Sequence, residues 1–218
     1  MMKNNLTKQK VVDAASSLFF QKGFHGTSVR DIADKAAVNV SLISYYFNGK
    51  QGLLEYAVTA YYEAYLQSVE SALEEVAPLS PKEQLHQLIF TIIHYKQSYH
   101  QLTCFIQREL SLDSVFVREM AVTYLAKENY YIQKTFYDAL SNKMHPDEKT
   151  YLLMQLKGML ITPYILHSEW KDQIIGEYSH QQFIKKYVRT IQKWLDFVLD
   201  NKNDKDFIHS GNKSSQKS

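Results

Sequence analysis

Between Gly23 and Leu54 the chain gathers hydroxyls, phenols and a few cations, not the acid–base or nucleophile pairs that break bonds. Ser41 and Ser44 can each donate and accept a hydrogen bond, Val40 and Leu42 offer aliphatic surface, and Arg30 carries a planar guanidinium with five donors. Thr27 and Ser28 can cap a helix start, where free N–H groups and the positive end of the dipole attract anions. Tyr45 and Tyr46 add phenol hydroxyls and Lys50 a positive charge. Groups of this kind recognise base edges and phosphates. Each also has a plain structural role open to it: the serines as exposed helix residues, one of the two tyrosines as core, Lys50 as a solvated charge.

Other chemistries lack their parts. His86, His94 and His100 are spaced by eight and six residues, not the three or four that would align ligands on one helix face. Arg108 with Glu109, and Arg118 with Glu119, are neighbours in sequence and so diverge on a helix. No nucleophile elbow, phosphate loop or zinc signature is present. The expectation is therefore no enzyme, no metal and no cofactor. The single cysteine, Cys104, makes no internal disulfide and suits a reducing cytoplasm as a small buried hydrophobe. The N-terminus lacks a secretory h-region, and no apolar run approaches the roughly 18 residues of a membrane span. A cytoplasmic location is expected.

The elements that must hold these residues read as helices throughout. Seven glycines and four prolines in 218 residues are too few for a turn-rich β fold, so the fold class is all-α. Apolar spacing from Leu6 to Phe19 predicts a first helix, capped at Thr7 and stopped by Gly23. Ser28 and Asp31 resemble a capping box that opens a short second helix ending near Ala37. After the turn Ala37-Val38-Asn39, a shorter one runs from Val40 to Phe47; the pair forms a helix-turn-helix unit. Phe19, Phe24, Ile32, Ala33, Ile43, Phe47 and Leu53 are its expected core. A long helix then continues to Val76. Further helices are predicted at about 81–99, 103–110, 113–141, 146–167 and 181–201, with a kink at Pro163.

Three regions follow: a helix-turn-helix head at 1–52, a helical body at 53–200 and a polar mobile tail at 201–218. The head holds seven lysines and arginines against three aspartates, so it carries +4 of a chain whose net charge is +2. A basic head on a slightly acidic body suits a phosphate-binding module joined to a domain that does not touch DNA.

The run from Gly23-Phe24-His25-Gly26-Thr27-Ser28-Val29-Arg30-Asp31-Ile32-Ala33 to Ser44-Tyr45-Tyr46-Phe47-Asn48-Gly49-Lys50-Gln51-Gly52-Leu53-Leu54 closely resembles the TetR family of regulators. The resemblance implies a three-helix head whose short third helix enters the major groove of double-stranded DNA. It places Val40, Ser41, Leu42 and Ser44 near base edges, Arg30 at a base or phosphate, and Thr27, Ser28, Tyr45, Tyr46 and Lys50 on the backbone. It also implies a homodimer on a palindromic operator, paired through the last two long helices. There Leu152, Leu156, Met159, Leu160, Tyr187, Ile191, Trp194, Leu195 and Val198 would furnish the seam, unless they serve only as internal core.

In most of the family a small-molecule effector in the body changes the separation of the heads. Tyr95, Tyr99, Phe105, Tyr124, Tyr130, Tyr131, Tyr137, Tyr164 and Trp170 could line such a pocket, or could be core. Within the family, Arg108–Ser114, Tyr124–Tyr131, Met154–Leu160 and Ile43–Phe47 resemble the RefZ proteins of spore-forming Bacillus relatives. That likeness implies a nucleoid-associated factor whose body contacts the division protein FtsZ during sporulation.

Overall fold

Nothing between Met2 and Thr7 interrupts a helix, and extending an existing helix backwards costs little once it is nucleated. Accordingly α1 (Met2–Lys22) begins well before the expected cap, and Thr7 lies inside it. The computed structural model describes residues 2–112, 115–140, 144–166 and 180–200, so Trp170 and the tail at 201–218 lie outside the described residues.

The capping box at Ser28 is complete. The Asp31 N–H donates to Ser28 Oγ at 3.1 Å, and Asp31 Oδ2 accepts from the Ser28 N–H at 2.9 Å. It launches α2 (Val29–Ala36), which ends as Ala37 enters the left-handed region at φ 54°. Asn39 Oδ1 accepts both the backbone N–H and the hydroxyl of Ser41, at 2.9 and 2.7 Å, and so braces the turn that leads into α3 (Ser41–Phe47). Asn48 then takes a left-handed φ of 57° and α4 (Gly49–Glu75) departs at once. A Cβ on Gly52 would sit 1.9 Å from the Phe47 carbonyl oxygen, so only glycine lets α4 start so close to the end of α3. Ile32, Ala33, Ile43, Phe47 and Leu53 meet Phe19 in the buried core of the head, as expected, with Phe24 half-buried beside them.

The body continues with α5 (Pro81–Ser98), α6 (His100–Ser111), α7 (Val115–Ala139), α8 (Pro146–Ile165) and α9 (His180–Asp200); no strand occurs among the described residues. The long α4 leaves the head and packs on α5 and α7, while α9 lies against α5. The α6 helix bridges α1 of the head to α8.

Pro163 lies within α8 close to its end, and its missing N–H leaves the Met159 carbonyl without its usual partner four residues on. The Tyr187 hydroxyl donates to that carbonyl at 2.6 Å, so the proline creates a tie between α8 and α9.

At the centre of the body Lys96 Nζ lies 2.8 Å from Glu128 Oε1, with side chains 4% and 11% exposed, and the Tyr65 hydroxyl donates to the same oxygen at 2.8 Å. Burial pushes the Glu128 carboxyl up, but the Lys96 ammonium and the hydroxyl together outweigh it and hold it below the usual carboxylate range.

Candidate nucleic-acid interface

The helix-turn-helix rigidly divides α3 into two faces. Ile43 and Phe47 are buried in the head, which turns Ser41, Ser44 and Tyr45 outward; Tyr45 is 78% exposed. Val40 is also exposed, and Leu42 and Tyr46 are half-buried. The first turn of α2 adds exposed Ser28 and Arg30. An exposed row of hydroxyls, a phenol and a guanidinium on two short helices of a basic head is chemically matched to base edges and phosphates.

Of the tyrosine pair, Tyr45 is the more exposed, its ring edge-on to that of Tyr46 at 5.0 Å. Tyr46 packs on Phe47 at 6.2 Å between ring centroids, and Lys8 Nζ lies 5.5 Å from its ring. Lys8, one of the seven basic residues of the head, sits on α1, far from the motif in number but beside it in space.

One expectation needs correction, and one plain alternative falls away. Thr27 is 1% exposed and its hydroxyl donates to the Gly23 carbonyl at 2.8 Å, so it closes the α1–α2 turn, and the cap of α2 belongs to Ser28 alone. Lys50 is not simply a solvated charge. Its ammonium donates to the carbonyls of Phe24 and Thr27, each at 2.8 Å, and lies 4.3 Å from the Phe24 ring centroid. Those two bonds use two of the three N–H groups of the ammonium.

The seam residues also divide. Leu156, Leu160, Ile191, Leu195 and Val198 are buried within the protomer, because the apolar stripes of α8 and α9 first satisfy their own core. Leu152, Met159, Tyr187 and Trp194 are half-buried. What remains outward is a different stripe: Tyr151, Met154 and Ile165 on α8, with Phe197 on α9. Gly158 lies in the same stripe, and a Cβ there would meet nothing within 4 Å.

Of the aromatic residues expected around a body pocket, Tyr95, Phe105 and Tyr164 are core. Tyr95 and Tyr99 also line a cleft of about 1030 Å³, which opens between the head and the body rather than inside the body. Among the described residues no group of three His, Cys, Asp or Glu could hold a metal ion. His86 lies 3.3 Å from Asp196, and His100 contacts Cys104 at 3.4 Å, whose thiol burial pushes up to about 12. No helix among the described residues is long and apolar enough to cross a membrane.

The head joins a known architecture. A TetR family transcriptional regulator, PfmR from Thermus thermophilus, superposes with a TM-score of 0.66 at 16% identity, covering 84% of this chain and 97% of that one. The fatty acid degradation regulator FadR from Bacillus halodurans gives 0.61 at 18% identity, covering 85% and 94%. At such identities the likeness speaks for the fold. In sequence, residues 11–57 match the family of bacterial regulatory proteins described as the tetR family. The "Probable HTH-type transcriptional regulator YttP" of Bacillus subtilis (strain 168) is 40% identical over 195 residues, which cover 88% of this chain and 94% of the relative. With that identity along nearly all of both chains, and with the motif built as a helix-turn-helix, this chain belongs to the TetR family of DNA-binding transcriptional regulators.

Proposed function

We propose that the protein is a repressor that binds palindromic double-stranded DNA as a homodimer, with α3 in the major groove. The observation that carries this reading is the outward row Ser41, Ser44 and Tyr45 on a helix whose inward residues, Ile43 and Phe47, are locked in the core. Ser41 and Ser44 read base edges, with Val40 and Leu42 against thymine methyl groups, and Arg30 reaches guanine or a phosphate. Ser28, Tyr45, Tyr46 and the remaining N–H of Lys50 grip the backbone. One seven-residue helix spans too few base pairs for a specific site, so two heads are needed. The outward stripe Tyr151, Met154, Gly158 and Ile165, joined by Phe197, is the face on which two copies pair. A dimer seated on a promoter palindrome blocks transcription by occupancy, in the cytoplasm and on the nucleoid.

Selection from a random DNA pool tests this. An enriched inverted repeat with half-site centres about one helical turn apart is expected. Ser44→Ala should change preference at one base position in each half-site, while Ser28→Ala should weaken all sequences alike. No enrichment, or a single unpaired half-site, contradicts the reading.

A second reading is favoured by a specific feature. Val115, Val122 and Tyr130 are exposed along α7 although the opposite face of that helix is core. Such a stripe suits a protein partner, and the RefZ-like role supplies one in FtsZ. Wild-type protein should then sediment with FtsZ polymers, and Val122→Asp should abolish this while sparing DNA binding. No sedimentation removes the second reading and leaves the repressor.

A further inference from the structure

We propose that the cleft between head and body is a binding site for an organic cation with an apolar body. The cleft is bounded by α1, α4 and the α5–α6 corner, and its volume of about 1030 Å³ suits a small molecule far better than one or two trapped waters. Its existence has a cause in the sequence. Ala57, Ala60 and Ala64 all line it from α4, on a helix register that turns small side chains to one side and leaves the space toward α1 unfilled.

The chemistry of the lining selects the ligand. Tyr61, Tyr95 and Tyr99 form one aromatic wall, with ring centroids 4.7 Å apart for Tyr95–Tyr99, 5.3 Å for Tyr61–Tyr95 and 6.2 Å for Tyr61–Tyr99. Two of the three hydroxyls are consumed elsewhere: Tyr95 donates to the Tyr61 carbonyl at 2.8 Å, and Tyr61 bonds Thr103 at 3.0 Å. Their contribution to a ligand is therefore π surface, whose negative faces attract cations. Tyr56 also lines the cleft and is exposed, and Lys8 Nζ lies 5.9 Å from its ring.

Charge points the same way. Asp13 lines the cleft, is exposed, and has as its partner the amide of Gln9 at 2.8 Å rather than a cation. The lining also contains Arg108, but its guanidinium donates to the carbonyls of Phe19 and Phe20 at 2.8 and 3.2 Å, the negative end of the α1 dipole. Its charge is answered in place, whereas that of Asp13 is available.

Because α1 forms one wall and the α5–α6 corner the other, a bound cation would set the distance between head and body. This consequence rests on the DNA-binding reading; the binding step does not.

The test uses the full chain and two ions of one shape and opposite charge, tetraphenylphosphonium and tetraphenylborate, titrated by calorimetry. The phosphonium should bind and the borate about tenfold more weakly or worse. Asp13→Asn should weaken the phosphonium alone, about threefold for an exposed carboxylate, and Tyr99→Ala should weaken both ions. Circular-dichroism melts establish that both exposed-site variants are folded. Equal affinity for the two ions, no binding of either, or a phosphonium affinity untouched by both variants overturns the site. On DNA carrying the selected repeat, the phosphonium should shift affinity for the wild type and not for Tyr99→Ala. Binding of the ion with unchanged DNA affinity overturns the coupling, whereas failure to bind any DNA overturns the regulator reading and leaves the calorimetry intact.

Discussion

Lys50 shows how one side chain serves two ends. Its bonds to the Phe24 and Thr27 carbonyls fix the turn from which α2 starts, and hence the pose of Ser28 and Arg30. Lys50→Ala should lower the stability of the DNA-free protein by about 1–3 kcal/mol, read by thermal melting. It should also reduce the salt slope of DNA binding by about one unit if the third N–H meets a phosphate. An unchanged melt would deny the brace. In the body, Glu128→Ala strands Lys96 as a buried unpaired charge and should cost about 3–5 kcal/mol, whereas Lys96→Met with Glu128→Leu should be close to neutral. The Glu128 carboxyl titrates lower folded than unfolded. Its stabilisation is therefore full above the unfolded value of about 4.3 and is lost as pH falls through the lower folded value. Melts at falling pH should show this loss in the wild type and not in the double variant.

At the scale of elements, α6 is the connector. Phe105 stacks on Phe19 at 5.3 Å, and Arg108 closes the carbonyl end of α1, so one face of α6 grips the head while another packs on α8. Arg108→Ala should speed hydrogen exchange in the last turn of α1 with little change in α4; equal protection in wild type and variant would deny the clamp. Most helices were legible from the sequence because their apolar residues recur at helical spacing and their stops are glycines or prolines, as at Gly23, Pro78 and Pro81. The start of α1 was not, since the residues before Thr7 carry no periodic apolar signal. Lys96 and Glu128 did carry a signal that went unused. Each occupies the core register of its helix, Lys96 after Ile89 and Ile92, and Glu128 between Ala121 and Ile132. A charge of each sign on two apolar stripes is the sequence trace of a buried pair.

For the whole molecule, the helix-turn-helix of the head was legible because a contiguous motif encodes it, whereas the cleft and the outward face of α8 were not. Both depend on which of several apolar residues the protomer uses internally. Leu156 and Leu160 are spent inside, and Tyr151 and Met154 remain outside, a division set by packing against α6 rather than by residue type. Met154→Glu on the outward stripe should halve the mass measured by light scattering without lowering helicity; an unchanged dimer mass would move the interface elsewhere. In the proposed dimer, the continuous path from α8 through α6 to α1 would let the pairing of two bodies set the spacing of two heads. That spacing is what a palindrome requires. The central claim is met most directly by mapping where the protein sits on its own chromosome, by crosslinking and sequencing, beside a strain carrying Ser44→Ala. The account predicts discrete peaks centred on one inverted repeat at promoters, displaced or lost in the Ser44 strain. Uniform coverage without peaks, or peaks indifferent to Ser44 and lacking a repeat, would contradict it.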